Sequence, residues 1–118
     1  MTDLIACLTN QKGVFEHVKR VIEEVEWQNI YLFTAENSLS QIKFNKKVQI
    51  IKLDLNKMIS QLSEDVKKQL EGKLNDLEVA VNIVGGTGKE HTAILSAILK
   101  LGFGIRLVVL TPNGVKTI

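Results

Sequence analysis

Val81-Asn82-Ile83-Val84-Gly85-Gly86-Thr87-Gly88-Lys89-Glu90-His91-Thr92-Ala93 reads as a buried strand, a glycine-rich turn and the first turn of a helix. α/β proteins hold phosphates at junctions of this kind. Gly85, Gly86 and Gly88 carry no Cβ and tolerate positive φ, so the backbone there can approach a ligand closely. The unpaired N–H groups of the following helix, at its positive dipole end, favour an anion. Lys89 adds a positive charge, and Thr87 and Thr92 add hydroxyls. The segment points to a phosphate-bearing ligand, a nucleotide first of all. The plain alternative is a tight strand-to-helix connection that holds nothing.

The familiar nucleotide motifs do not fit. A Walker A loop needs a glycine five residues before its Gly-Lys pair and Ser or Thr after the lysine. Here the pair is Gly88-Lys89, Ile83 stands at the glycine position and Glu90 follows. A dinucleotide fingerprint starting at Gly86 and Gly88 needs Gly or Ala where His91 stands. The turn is a phosphate loop of another kind.

Outward from this junction, strand and helix patterns alternate. Leu4 to Leu8 is a continuous apolar run, as in a strand covered on both faces, and it ends in Thr9-Asn10-Gln11-Lys12-Gly13. Val14, Val18, Val21, Ile22 and Val25 recur at helical spacing, with charges opposite. Asn29 to Thr34 reads as a second strand and Ala35 to Lys43 as a short helix. Val48 to Leu53 half-alternates, which suits an edge strand. Ile59, Leu62, Val66 and Leu70 mark an amphipathic helix that Gly72 and Asn75 end. Leu77 to Val84 is the fourth strand, Ile105 to Leu110 the fifth, and Val115 to Ile118 starts a sixth after the turn Thr111-Pro112-Asn113-Gly114. The alternation predicts an α/β, Rossmann-like fold: a mostly parallel sheet of five to six strands with helices on both faces. If the first and fourth strands are neighbours, the Thr9–Gly13 and Gly85–His91 loops meet at the topological switch point.

The helix from Glu90 to Leu101 is apolar around nearly its whole circumference. Such a helix is buried on more than one side. The sheet covers one side, and no later helix is available for the other, so a homodimer is expected. A neighbouring helix is the alternative partner.

The chain has 118 residues, suiting a single domain, 1–118. Hydrophobic residues make up 45% and charged residues 24%, an ordinary globular composition. A net charge of +2 predicts no general affinity for nucleic acid, so any anion site is local. The lone Cys7 lies in an apolar run and reads as a small buried hydrophobe. No metal-ligand spacing appears, and no metal or further cofactor is expected. Apolar runs are strand-sized, so no membrane span is expected and the cytoplasm is the expected location.

The whole chain resembles the CARF family, the CRISPR-associated Rossmann-like domains of type III defence systems. Most specific is the pattern Asn-x-x-Gly-Gly-Thr-x-Lys, met by Asn82, Gly85, Gly86, Thr87 and Lys89, after a first strand ending in Thr9-Asn10. The resemblance implies a homodimer binding a cyclic oligoadenylate across its two-fold axis, with cyclic tetra-adenylate the first candidate. Members usually carry a responding domain, a nuclease or a DNA-binding winged helix. The expectation is that residues 1–118 are the sensing domain, either a stand-alone member or the sensing half of something longer, with DNA binding only if a separate effector domain exists. Some members cut the ring they bind and are called ring nucleases.

Residue chemistry agrees with that ligand. Lys12 and Lys89 from each subunit offer ammonium groups to the phosphates. Gly85, Gly86 and Gly88 supply N–H donors, while Thr9, Asn10, Gln11 and Thr87 read ribose hydroxyls or adenine edges. His91 either assists proton transfer or serves no chemical role. Three classes stay open: a sensor without chemistry, a metal-independent ring nuclease with Lys89 as its catalytic group, and a generic nucleotide-binding module.

Overall fold

The computed structural model describes residues 2–118. In chain order the elements are β1 (Leu4–Cys7), α1 (Lys12–Glu24), β2 (Ile30–Thr34), a 3₁₀ turn (Asn37–Leu39), β3 (Gln49–Lys52), α2 (Ile59–Leu70), β4 (Glu78–Asn82), α3 (Gly88–Lys100), β5 (Gly104–Thr111) and β6 (Gly114–Thr117). The strands form one sheet in the order β3-β2-β1-β4-β5-β6. All pairings are parallel except the β5–β6 hairpin, whose turn closes between Thr111 and Gly114. This is the expected α/β, Rossmann-like architecture, with β3 at an edge.

Side-chain alternation along β1 divides the core in two. Leu4 and Ala6 face one side with Ile30, Leu32, Ala80 and the α1 residues Val18, Val21 and Ile22. Ile5 and Cys7 face the other, against Leu62, Val66 and Leu70 of α2 and Ala93, Ile94, Ala97 and Ile98 of α3. Each fully buried Ile or Leu contributes about 1.5–3 kcal/mol of transfer free energy. Helices therefore cover both faces.

One expectation needs correction. Ala35 to Lys43 does not form a helix; only the 3₁₀ turn is present. The segment instead lays Leu39, Ile42 and Phe44 over the sheet on the α1 side, and Phe44 stacks on Phe15 with ring centroids 6.3 Å apart. Its apolar residues follow the sheet surface rather than a helical face. The helix α3 has a neighbouring helix as one partner. Its flank beyond the sheet is covered in part from within the chain, by the preceding α2, and the hydroxyls of Ser63 and Ser96 bond across that contact. Small Ala93 and Ala97 permit the close approach. On the flank away from α2, Leu99 remains 62% exposed. No helix among the described residues is long and apolar enough to cross a membrane.

Candidate functional site

β1 pairs with β2 on one side and with β4 on the other, Ala6 lying between Leu32 and Asn82. The chain leaves β1 and β4 in opposite directions, and a crevice opens between their carboxyl ends. It is a cleft of about 400 Å³ lined by Thr9, Asn10 and Gln11 from the β1 loop and by Gly85, Gly86 and Thr87 from the β4 loop. Ala35 and Glu36 after β2, Leu55 after β3, and Leu8, Val84 and Glu90 complete the wall. That volume lies within the range of small-molecule sites.

The β4 loop is held by its own side chains. Thr87 donates both its N–H and its hydroxyl to Glu90 Oε1, at 3.0 and 3.1 Å, in a capping box. His91 Nε2 donates to the Gly85 carbonyl at 2.6 Å, which fixes the ring as a brace of the turn. A Cβ on Gly85 would meet Val14 Cγ1 at 2.8 Å and the Cys7 carbonyl at 2.9 Å, so packing alone demands glycine there. Gly86 has φ +94° and faces Cys7, Glu90 and His91, so it is glycine for conformation as well as room. Gly88 meets nothing within 4 Å and has no such requirement.

Asn82 anchors the loop from below. Its side chain is fully buried; Nδ2 donates to the Val108 carbonyl at 2.9 Å and to His17 Nε2 at 3.0 Å. Leu110 N–H also donates to His17 Nε2, at 3.3 Å, which fixes the neutral Nδ1–H tautomer. Burial lowers the His17 pKa from its ordinary 6.5. Asn82 thus ties β4 to β5 and, through His17, to α1.

The β1 loop is quieter. α1 begins after Gln11 with no side-chain cap and no acidic residue in its first turn. Asn10, Gln11 and Lys12 are exposed. The buried Thr9 hydroxyl has no hydrogen-bond partner among the described residues. Asn10 N–H donates to Glu36 Oε2 at 2.6 Å.

The structure brings Thr9, Asn10, Gln11, Gly85, Gly86 and Thr87 into one cleft. Lys89 reaches across instead and donates its ammonium to the Leu55 carbonyl at 2.6 Å, closing the rim between the β3 and β4 loops. Lys12 and Gly88 stand at the starts of α1 and α3, and His91 lies behind the turn. Cys7 is buried, and burial first, then the Glu90 carboxylate, push its thiol far above the usual range, which disfavours the thiolate. No three His, Cys, Asp or Glu side chains converge as metal ligands among the described residues. Sequence reading missed both charged wall residues, Glu36 and Glu90, along with the apolar Leu8, Ala35, Leu55 and Val84. The spacing Thr87-x-x-Glu90 is a capping-box signal that marks Glu90; nothing local marks Glu36.

The fold and crevice define the class: a Rossmann-like α/β protein with an open switch-point cleft. No protein-family model matches the sequence, and comparison with curated proteins gives no match.

Proposed function

We propose that the chain binds a cyclic oligoadenylate, cyclic tetra-adenylate first, in this cleft, and acts as a homodimeric sensor or regulator in type III CRISPR defence. The observation that carries the reading is the meeting of Thr9–Gln11 with Gly85–Thr87 between β1 and β4. Open α/β sheets bind ligands at such switch points. Leu55 and Val84 offer an adenine an apolar face, and the uncapped first turn of α1 offers donors to a phosphate. A ring with two-fold symmetry calls for two clefts. Leu99, exposed beside Leu95 on the flank of α3 away from α2, supports contact with a second copy there. Sensing is favoured over cutting because Lys89 and His91, the groups suited to catalysis, are already engaged by the carbonyls of Leu55 and Gly85.

Titration calorimetry with cyclic tetra-adenylate should give one ring per pair of chains, with affinity falling as salt is added. Neither heat nor thermal shift with rings of four or six adenylates overturns the proposal. Mononucleotides binding as well as rings reduce it to a generic nucleotide module. Linear products with 2′,3′-cyclic phosphate ends in EDTA favour the ring nuclease instead. Leu99→Glu should give a folded monomer in sedimentation, and a wild type that is already monomeric at micromolar concentration removes the shared groove.

A further inference from the structure

Glu36 is one of two wall residues whose charge opposes a phosphate. It follows β2 by two residues, and its place is set twice. Thr34, fully buried at the strand end, accepts the Glu36 N–H on its hydroxyl at 3.1 Å. The Glu36 carboxylate then accepts the Asn10 N–H through Oε2 at 2.6 Å. The other cleft carboxylate, Glu90, is committed to the first turn of α3. Glu36 bridges from β2 to the β1 loop, with Oε1 given no protein partner among the described hydrogen bonds.

An ionised carboxylate only accepts hydrogen bonds. A phosphate brought against it meets like charge and offers no proton. The Glu36 carboxylate therefore suits a ligand's hydroxyl, and the phosphates belong toward the uncapped first turn of α1. In doubly wound sheets that bind nucleotides across the first strand–helix turn, an acidic group at this place accepts the ribose 2′-hydroxyl. The geometry points to Glu36 as the residue that selects ribonucleotides over deoxyribonucleotides. In a 3′,5′-linked ring the 2′-hydroxyl is the ribose donor still free, so Glu36 reads each ribose that enters the cleft.

The assignment rests on the nucleotide reading of the cleft, and the experiment separates the two. Wild type, Glu36→Ala and Glu36→Gln are titrated with cyclic tetra-adenylate and with the same ring made of 2′-deoxyadenylates. Melting curves confirm that each variant is folded. The wild type should prefer the ribose ring by about tenfold, the loss expected for one charge-assisted hydrogen bond. Glu36→Ala should bind both rings within about twofold of each other, chiefly by losing affinity for the ribose ring. Glu36→Gln keeps an acceptor without the charge and should fall between. Wild-type discrimination surviving in Glu36→Ala overturns the assignment while leaving the nucleotide reading intact. Both variants tightening both rings alike also overturns it, because the carboxylate then acts only as an electrostatic brake. A wild type that binds neither ring overturns the nucleotide reading and this assignment with it.

Discussion

Two helices, α1 and α3, begin at the same edge of the same sheet, and they begin differently. α3 starts under Thr87 and Glu90, which satisfy each other, with His91 bracing the glycine turn behind them. α1 starts on Gln11 without a side-chain cap, and Lys12 and Gly13 stand exposed. A cationic residue in the first turn of a helix is unfavourable against its dipole unless an anion stands nearby. The glycine-rich turn that dominates the sequence is thus largely self-satisfied and serves as a wall. Unmet hydrogen-bonding capacity lies in the plainer β1 loop, where the Thr9 hydroxyl is orphaned.

The strongest way to break this contrast is glycine replacement on the two sides. Gly85→Ala drives a Cβ into the Cys7 carbonyl and Val14, and should cost about 1–3 kcal/mol by denaturant melting. Gly13→Ala has open space around its Cβ and should be neutral or stabilising by up to about 1 kcal/mol. Equal losses at both positions would mean that the β1 loop is packed as tightly as the β4 turn. Next in size is Glu90→Ala, which removes the α3 cap and should cost about 0.5–2 kcal/mol. Unchanged stability would show that α3 does not depend on its own closure.

Gln11→Asp tests the open side by closing it. An Asp at that N-cap should stabilise the fold by about 0.5–1 kcal/mol and weaken binding of an anionic ligand. Tighter ligand binding in this variant would refute the view of α1 as the donor side. The smallest effect expected is one of pH. His17 accepts two N–H groups, and burial lowers its pKa, so the native state disfavours the imidazolium. Its contribution is complete above the ordinary value of 6.5 and is lost as pH falls from there through the lower folded value. His17→Gln should flatten this part of the stability profile. A profile with the wild-type slope would place the acid sensitivity elsewhere.

Much of the fold was legible because its strands and helices bury distinct patterns. β1 is a continuous apolar run buried on both faces, and α2 buries Leu62, Val66 and Leu70 at the spacing read from sequence. The segment from Ala35 to Lys43 was not legible: its Leu39 and Ile42 join the α1-side core, and Phe44 just after it stacks on Phe15, contacts that no local window contains. The same limit hid Glu36, which reaches the cleft through a residue 26 positions away. Thr9, Asn10, Gln11, Gly85, Gly86 and Thr87 were found because each follows a strand at the switch point. Lys89 and Asn82 stand in the motif as read, yet one closes a rim and the other an interior joint.

The strand order carries a consequence for how the molecule assembles. β1 is made near the start of the chain but sits in the middle of the sheet, and one of its neighbours, β4, lies more than 70 residues later. Pairings of such sequence separation form late and slowly, because chain must be looped before contact rewards it. During synthesis β1, β2 and β3 can pair early, leaving one flank of β1 waiting for β4. The cleft draws on all four of these strands' carboxyl ends, so it exists only once that last gap is closed. A ligand held in the cleft would bind only the completed sheet, and would stabilise the folded chain over the unfolded one.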